Sequence, residues 1–120
     1  MSDCLSQSYD FGIRIVQLSR WLKDEGKDFP LSGRLLECGA GLCPALRVAQ
    51  AMGDKGSRVV AFRYVEEAEY LLELMVETDF ITALQSEPLL SDCRVIKKDI
   101  RANQSKRKKQ SDGSDADNGK

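Results

Sequence analysis

The stretch Ala61–Ile81, AFRYVEEAEYLLELMVETDFI, sets apolar Ala61, Val65, Ala68, Leu72 and Met75 at spacings of four, three, four and three. Glu66, Glu69, Glu73 and Glu77 fall on the other side of the same repeat. A chain with 3.6 residues per turn stacks the first set into one buried seam and the second into one acidic face. The stretch therefore predicts a long amphipathic helix, and an all-α fold grows outward from it.

Upstream, Phe11, Ile15, Leu18 and Leu22 repeat the pattern. They predict a first helix from about Asp10, a capable N-cap, to Glu25, with Gly26 at its exit. Asp28-Phe29-Pro30 reads as a turn into a second helix with the seam Leu35, Gly39, Leu42, Leu46 and Ala49, closed by Gly53. Pro44 lies inside that helix and lacks a backbone donor. It predicts a kink near residues 40–44 on the side away from the seam, or else two shorter helices. Gly39 and Gly41 suit close helix approach. Ser57 is the expected cap of the third helix, which extends to about Asp79. Ser86-Glu87-Pro88 is the expected start of a fourth, whose seam is Leu89, Cys93, Ile96 and Ile100. Four helices joined by short turns imply an antiparallel up-down four-helix bundle. Its expected limits are 10–102, with a flexible N-terminus over 1–9 and a disordered polar and basic tail over 103–120.

The chain has a formal net charge of −1 and a pI near 5.5, so it lacks the global positive field of a nonspecific nucleic-acid coat. The charge is unevenly placed, because the tail holds Lys106, Arg107, Lys108, Lys109 and Lys120 against three acids. The sequence has four cysteines without a CxxC pair and no histidine. Opposite the helix-four seam, Arg94, Lys98 and Arg101 form a basic stripe that leads toward Lys106, Arg107, Lys108 and Lys109. Together these are the candidate phosphate-binding residues. The alternative is that they complement the helix dipole and solvate the tail. On helix one, Arg20, Lys23 and Lys27 lie opposite the seam. An up-down bundle makes helices one and three diagonal neighbours. This basic stripe and Glu66, Glu69, Glu73 and Glu77 then face opposite ways, as a head-to-tail subunit contact requires. Two solvated faces are the competing reading.

Other chemistries find little purchase. Di-metal bundles use inward glutamates with Glu-x-x-His pairs, and no histidine exists. Cys38, Cys43 and Cys93 read as small buried residues rather than zinc ligands. There is no phosphate-cradling glycine loop and no plausible catalytic triad, so the expectation is a non-enzyme without cofactor or metal. Trp21, Tyr64 and Tyr70 lie near seam edges, suited either to core packing or to an interface. No secretory signal or membrane-length apolar run appears, and the cysteine usage fits a reduced cytoplasmic setting.

Three segments also resemble a known family. Glu67-Ala68-Glu69-Tyr70-Leu71-Leu72 is similar to the Glu-Thr-Glu-Tyr-Trp-Leu stretch of the bacterial four helix bundle proteins. Phe29-Pro30 resembles the Phe-Pro before their second helix. Arg47-Val48-Ala49-Gln50-Ala51 occupies the place of their Asn-Ile-Ala-Glu-Gly, departing at Arg47, Gln50 and Ala51. The family includes proteins encoded in intervening sequences of large-subunit ribosomal RNA genes. It also includes the accessory variability determinant of diversity-generating retroelements. The resemblance spans about Tyr9 to Arg101 and implies a homo-oligomeric ring, commonly a pentamer, without catalysis. For the retroelement branch it implies RNA or DNA and a reverse transcriptase as partners. The expected function is a nucleic-acid-binding accessory or scaffold. The alternative is an oligomeric protein–protein adaptor that binds no nucleic acid.

Overall fold

The computed structural model describes the backbone of residues 2–114 and the side chains of residues 4–103. Four helices account for nearly all of it: α1 (Ser2–Asp24), α2 (Ser32–Met52), α3 (Lys55–Glu77) and α4 (Ala83–Ser114). Each packs on its chain neighbours, and α4 closes the bundle against α1. α1 and α3, like α2 and α4, are the diagonal pairs. Turns this short return each helix antiparallel to the one before it, which is the up-down bundle expected of the sequence.

The core follows the four seams. Ala61, Val65, Ala68, Leu72 and Met75 of α3 are all fully buried, as are Phe11 and Ile15 of α1 and Ile96 and Cys93 of α4. Leu35, Leu42, Leu46 and Ala49 complete the α2 side. Pro44 is accommodated in one continuous α2, with its ring on the exposed side, so the division into two helices does not occur. At one end of the bundle, Phe29 and Phe80 from the two longer turns meet edge to face, with centroids 5.1 Å apart. Gly53 takes a left-handed conformation (φ 62°) at the end of α2, where a side chain would be strained.

Helix limits differ from the sequence reading in four places. α1 begins at Ser2 rather than near Asp10, so the expected flexible segment 1–9 is helical from residue 2. Buried Cys4 and Ser8 continue the seam toward the N-terminus, and Ser8 Oγ satisfies itself on the Leu5 carbonyl at 2.9 Å. The cap of α3 is Asp54, not Ser57: its carboxylate accepts from the Ser57 backbone N–H at 3.2 Å and from the Ser57 hydroxyl at 2.6 Å. α4 starts at Ala83, before Ser86, behind a reciprocal box. There Thr82 N–H donates to Gln85 Oε1 (2.8 Å) and Gln85 N–H donates to Thr82 Oγ1 (3.0 Å). Ser86 is instead buried and donates to the Ala83 carbonyl. Finally, α4 continues to Ser114, past the limit expected at 102. Gln, Lys and Arg are good helix formers and no proline interrupts them, so nothing local ends the helix before Gly113.

Two glycines let α2 approach its neighbours. A Cβ on Gly39 would fall 2.8 Å from Ile15 Cβ, an atom fixed to the α1 backbone of a fully buried residue. A Cβ on Gly41 would meet the Tyr64 ring edge at 2.8 Å, but that ring is only half-buried and can swing. Opposite outcomes follow. Gly39→Ala should destabilise by up to about 2 kcal/mol, because an overpacking cost of roughly 1–3 kcal/mol is offset only in part by the helix-propensity gain of about 1 kcal/mol. Gly41→Ala should be neutral or stabilising by up to about 1 kcal/mol. Urea midpoints separate the two, and equal midpoints would contradict this account.

Candidate interaction surfaces

The expected basic stripe lies on the outside of α4. Arg94, Lys98 and Arg101 are all exposed, and among the described residues none forms an ion pair. The Arg101 guanidinium rests 5.6 Å from the centroid of the Phe62 ring, which holds its stem against α3. Lys106, Arg107, Lys108 and Lys109 continue the α4 backbone, and their side chains lie outside the described residues.

Lys97, one position before Lys98, has a different role. Its Nζ donates to Glu66 Oε1 at 2.8 Å and to Glu69 Oε1 at 2.5 Å, and its side chain is only 16 % exposed. Partial burial works against its charge, but the two carboxylates win and its pKa is raised above the usual lysine value. Two members of the acidic stripe thus pair within the subunit and pin α3 to α4. Glu69, only 14 % exposed, is thereby turned inward and not outward as expected, whereas Glu66 is still 54 % exposed. Glu73 and Glu77 do remain exposed.

The α1 stripe divides in the same way. Arg20 and Lys23 are exposed, but Lys27 folds back over the end of the bundle. Its Nζ donates to the Phe80 carbonyl at 3.2 Å and sits 5.0 Å from the Trp21 ring centroid. Lys27 therefore clamps the α1–α2 turn to the α3–α4 turn and is not an outward charge. Two further pairs tie helices together. Arg14 Nη1 meets Asp92 Oδ2 at 2.6 Å, and burial still raises the Asp92 pKa despite that cation. Arg34 holds Glu67 bidentately and Glu37 at 3.0 Å, which lowers the Glu67 pKa.

Two recesses mark opposite faces of the bundle. On α1/α2, a groove of about 430 Å³ is lined by Tyr9, Ile13 and Val16, backed by Gly12, Ala40 and Pro44, and flanked by Arg20 and Arg47. Tyr9, Ile13 and Val16 are 56 %, 41 % and 42 % exposed. Their i, i+4, i+7 spacing is a second apolar stripe on α1, legible in sequence but overshadowed by the buried seam. On α3/α4, a recess of about 530 Å³ is lined by Val76, Leu84 and Leu90 with Glu73, Glu77 and Glu87, and Arg94 at its edge. Of the aromatic residues singled out above, Trp21 and Tyr64 pack against the core, while Tyr70 is 58 % exposed.

All four thiols are free and buried. Burial pushes Cys4 and Cys38 up to about 11 and Cys93 up to about 12. Cys38 also donates to Glu67 Oε1 at 3.5 Å. Since the thiolate is the nucleophile, native protein at pH 8 should react with a disulfide reagent on the order of a hundredfold more slowly than protein unfolded in urea, which should yield four equivalents. A fast equivalent in the native protein would contradict this packing. Among the described residues no group of three His, Cys, Asp or Glu side chains is placed to hold a metal ion, and no helix is long and apolar enough to cross a membrane.

The geometry defines an all-α four-helix bundle with charged outer helix faces, an apolar groove on α1/α2 and a mixed recess on α3/α4. A solved structure shares the fold: a protein of unknown function from the S23 ribosomal protein family of Bacteroides thetaiotaomicron. The two chains are 28 % identical with a TM-score of 0.79, and the match covers 84 % of this chain and 94 % of that one. No family model and no curated protein matches the chain.

Proposed function

We propose that this protein is a non-enzymatic homo-oligomeric bundle that binds nucleic acid as an accessory or scaffold. The carrying observation is the division of labour among neighbouring cations on α4. Lys97 is neutralised inside the subunit, whereas Arg94, Lys98 and Arg101 stay exposed and unpaired among the described residues. Those three lie on a helix whose backbone runs on through Lys106–Lys109. The mechanism is electrostatic: each chain offers a few phosphate contacts, and assembly multiplies them. A ring of five and a reverse transcriptase partner are the finer reading suggested by the family resemblance. RNA as ligand accords with the ribosomal family of the structural neighbour.

A protein–protein adaptor is the second reading, favoured by the exposed apolar groove on α1/α2. Titrating labelled RNA and DNA over a range of salt concentrations separates the two. A nucleic-acid binder loses affinity linearly in log–log form as salt rises. Absence of binding at about 100 µM, the weak end of nonspecific contacts, would reject the first reading and leave the adaptor.

A further inference from the structure

We propose that the α1/α2 groove of one chain receives the α3/α4 face of a second copy, with Leu84, at the rim of that face's recess, as the inserted side chain. The proposal rests on the reading that the chain assembles, and it names the surfaces that do so.

Three observations support it. The first is position: α1/α2 and α3/α4 are opposite faces of a four-membered ring of helices, because each helix packs only on its neighbours in that ring. Contacts between opposite, unlike faces are head-to-tail and close into a ring when the rotation allows. The second is shape and polarity. The groove offers a concave apolar floor, made by Gly12, Ala40 and the ring of Pro44, where no long side chain fills the space between α1 and α2. The α3/α4 face offers Leu84, 78 % exposed at the first turn of α4, on the rim of a recess that half-buried Leu90 and Val76 line.

The third is charge. The groove carries Arg20 toward one end and Arg47 toward the other, because α1 and α2 are antiparallel. The α3/α4 face carries Glu73, Glu77 and Glu87. None of these five forms an ion pair among the described residues, in contrast to Glu66, Glu69 and Lys97. Two surfaces with apolar centres and oppositely charged rims are complementary in sign. A specific contact needs about 800 Å² from each partner. That is near a tenth of the 7263 Å² surface, well within one face of the bundle. Arg94 lies only at the edge of the recess, with Lys98 and Arg101 one to two turns beyond it, so the stripe stays available to phosphate.

The test uses full-length protein and light scattering coupled to size exclusion. One variant, I13E/V16E, spoils the groove; another, L84E, spoils the α3/α4 face. All three positions are exposed, so circular dichroism should show both variants folded. Wild type should run as a multiple of 13.4 kDa, and each variant as a single chain. An equimolar mixture should give twice the chain mass and no more, because one intact groove then meets one intact α3/α4 face and the complex cannot grow. If either variant assembles like wild type, or if the mixture stays monomeric, the head-to-tail pairing is wrong while assembly itself stands. A monomeric wild type overturns the assembly reading, and this pairing with it.

Discussion

Truncating Leu72 to alanine is expected to destabilise the bundle by about 2–5 kcal/mol, the range for removing a large aliphatic side chain from a packed core. Leu72 is fully buried on α3, the helix that packs on both α2 and α4, and its neighbours along the seam, Ala68 and Met75, are fully buried too. Ala68 is already small, so it cannot grow into the void, and the cavity term is expected in full. Against a total stability of roughly 5–15 kcal/mol the loss is large. For a domain of this size it corresponds to a fall in Tm on the order of 10–30 °C. Tyr70→Ala, two residues away but 58 % exposed, should change stability by no more than about 0.5 kcal/mol. Both variants should be melted at one fixed protein concentration, because assembly raises apparent stability by mass action. Comparable losses at the two positions would mean that the acidic side of α3, not the seam, faces the core.

The seams were legible because burial in a bundle selects one stripe per helix, and a large apolar residue leaves an unambiguous mark on it. Where the seam is built from small or weakly polar residues, the mark fades. Cys4 and Ser8 extend the α1 seam by two turns, yet neither declares itself as core, and Asp10 is a more conspicuous start signal. The same competition misplaced two caps. Asp54 and Ser57 are both good caps three residues apart, and the carboxylate wins because Ser57 can then donate twice to it. Thr82 with Gln85 is a sound capping pair, hidden behind the louder Ser86-Glu87-Pro88.

The surfaces were less legible, for a reason tied to packing. A helical wheel places Glu66, Glu69, Glu73 and Glu77 on one side of α3, but it does not say which of them another helix will reach. That depends on the register between α3 and α4, which brings Lys97 rather than Lys98 to the carboxylates. It depends also on turn geometry, which returns Lys27 to the Phe80 carbonyl. Charges spent within a subunit and charges offered outward look alike in one dimension. Contacts between elements separate them, leaving Arg20 and Arg47 on one face, Glu73, Glu77 and Glu87 on the opposite one, and Arg94, Lys98 and Arg101 along α4.

That separation yields a quantitative expectation for the α4 stripe. Each lysine or arginine that neutralises a phosphate contributes about 0.7 to the log–log salt slope on single strands and about 0.9 on duplex DNA. Replacing Arg94, Lys98 and Arg101 by glutamine should therefore flatten the slope by about 2–3 for each chain engaged. Between 50 and 200 mM salt, wild type should lose roughly 20–40-fold more affinity than the variant. The variant should keep its fold, since none of the three charges forms an ion pair among the described residues. Lys97→Gln is the informative control. It adjoins the stripe in sequence but is held between Glu66 and Glu69, so it should lower thermal stability while leaving the slope unchanged. If Lys97→Gln flattens the slope as much as losing Lys98 does, the internal clamp is not maintained in solution. If the triple variant binds as tightly as wild type with the same slope, phosphate contacts do not run through α4, and the adaptor reading gains the ground.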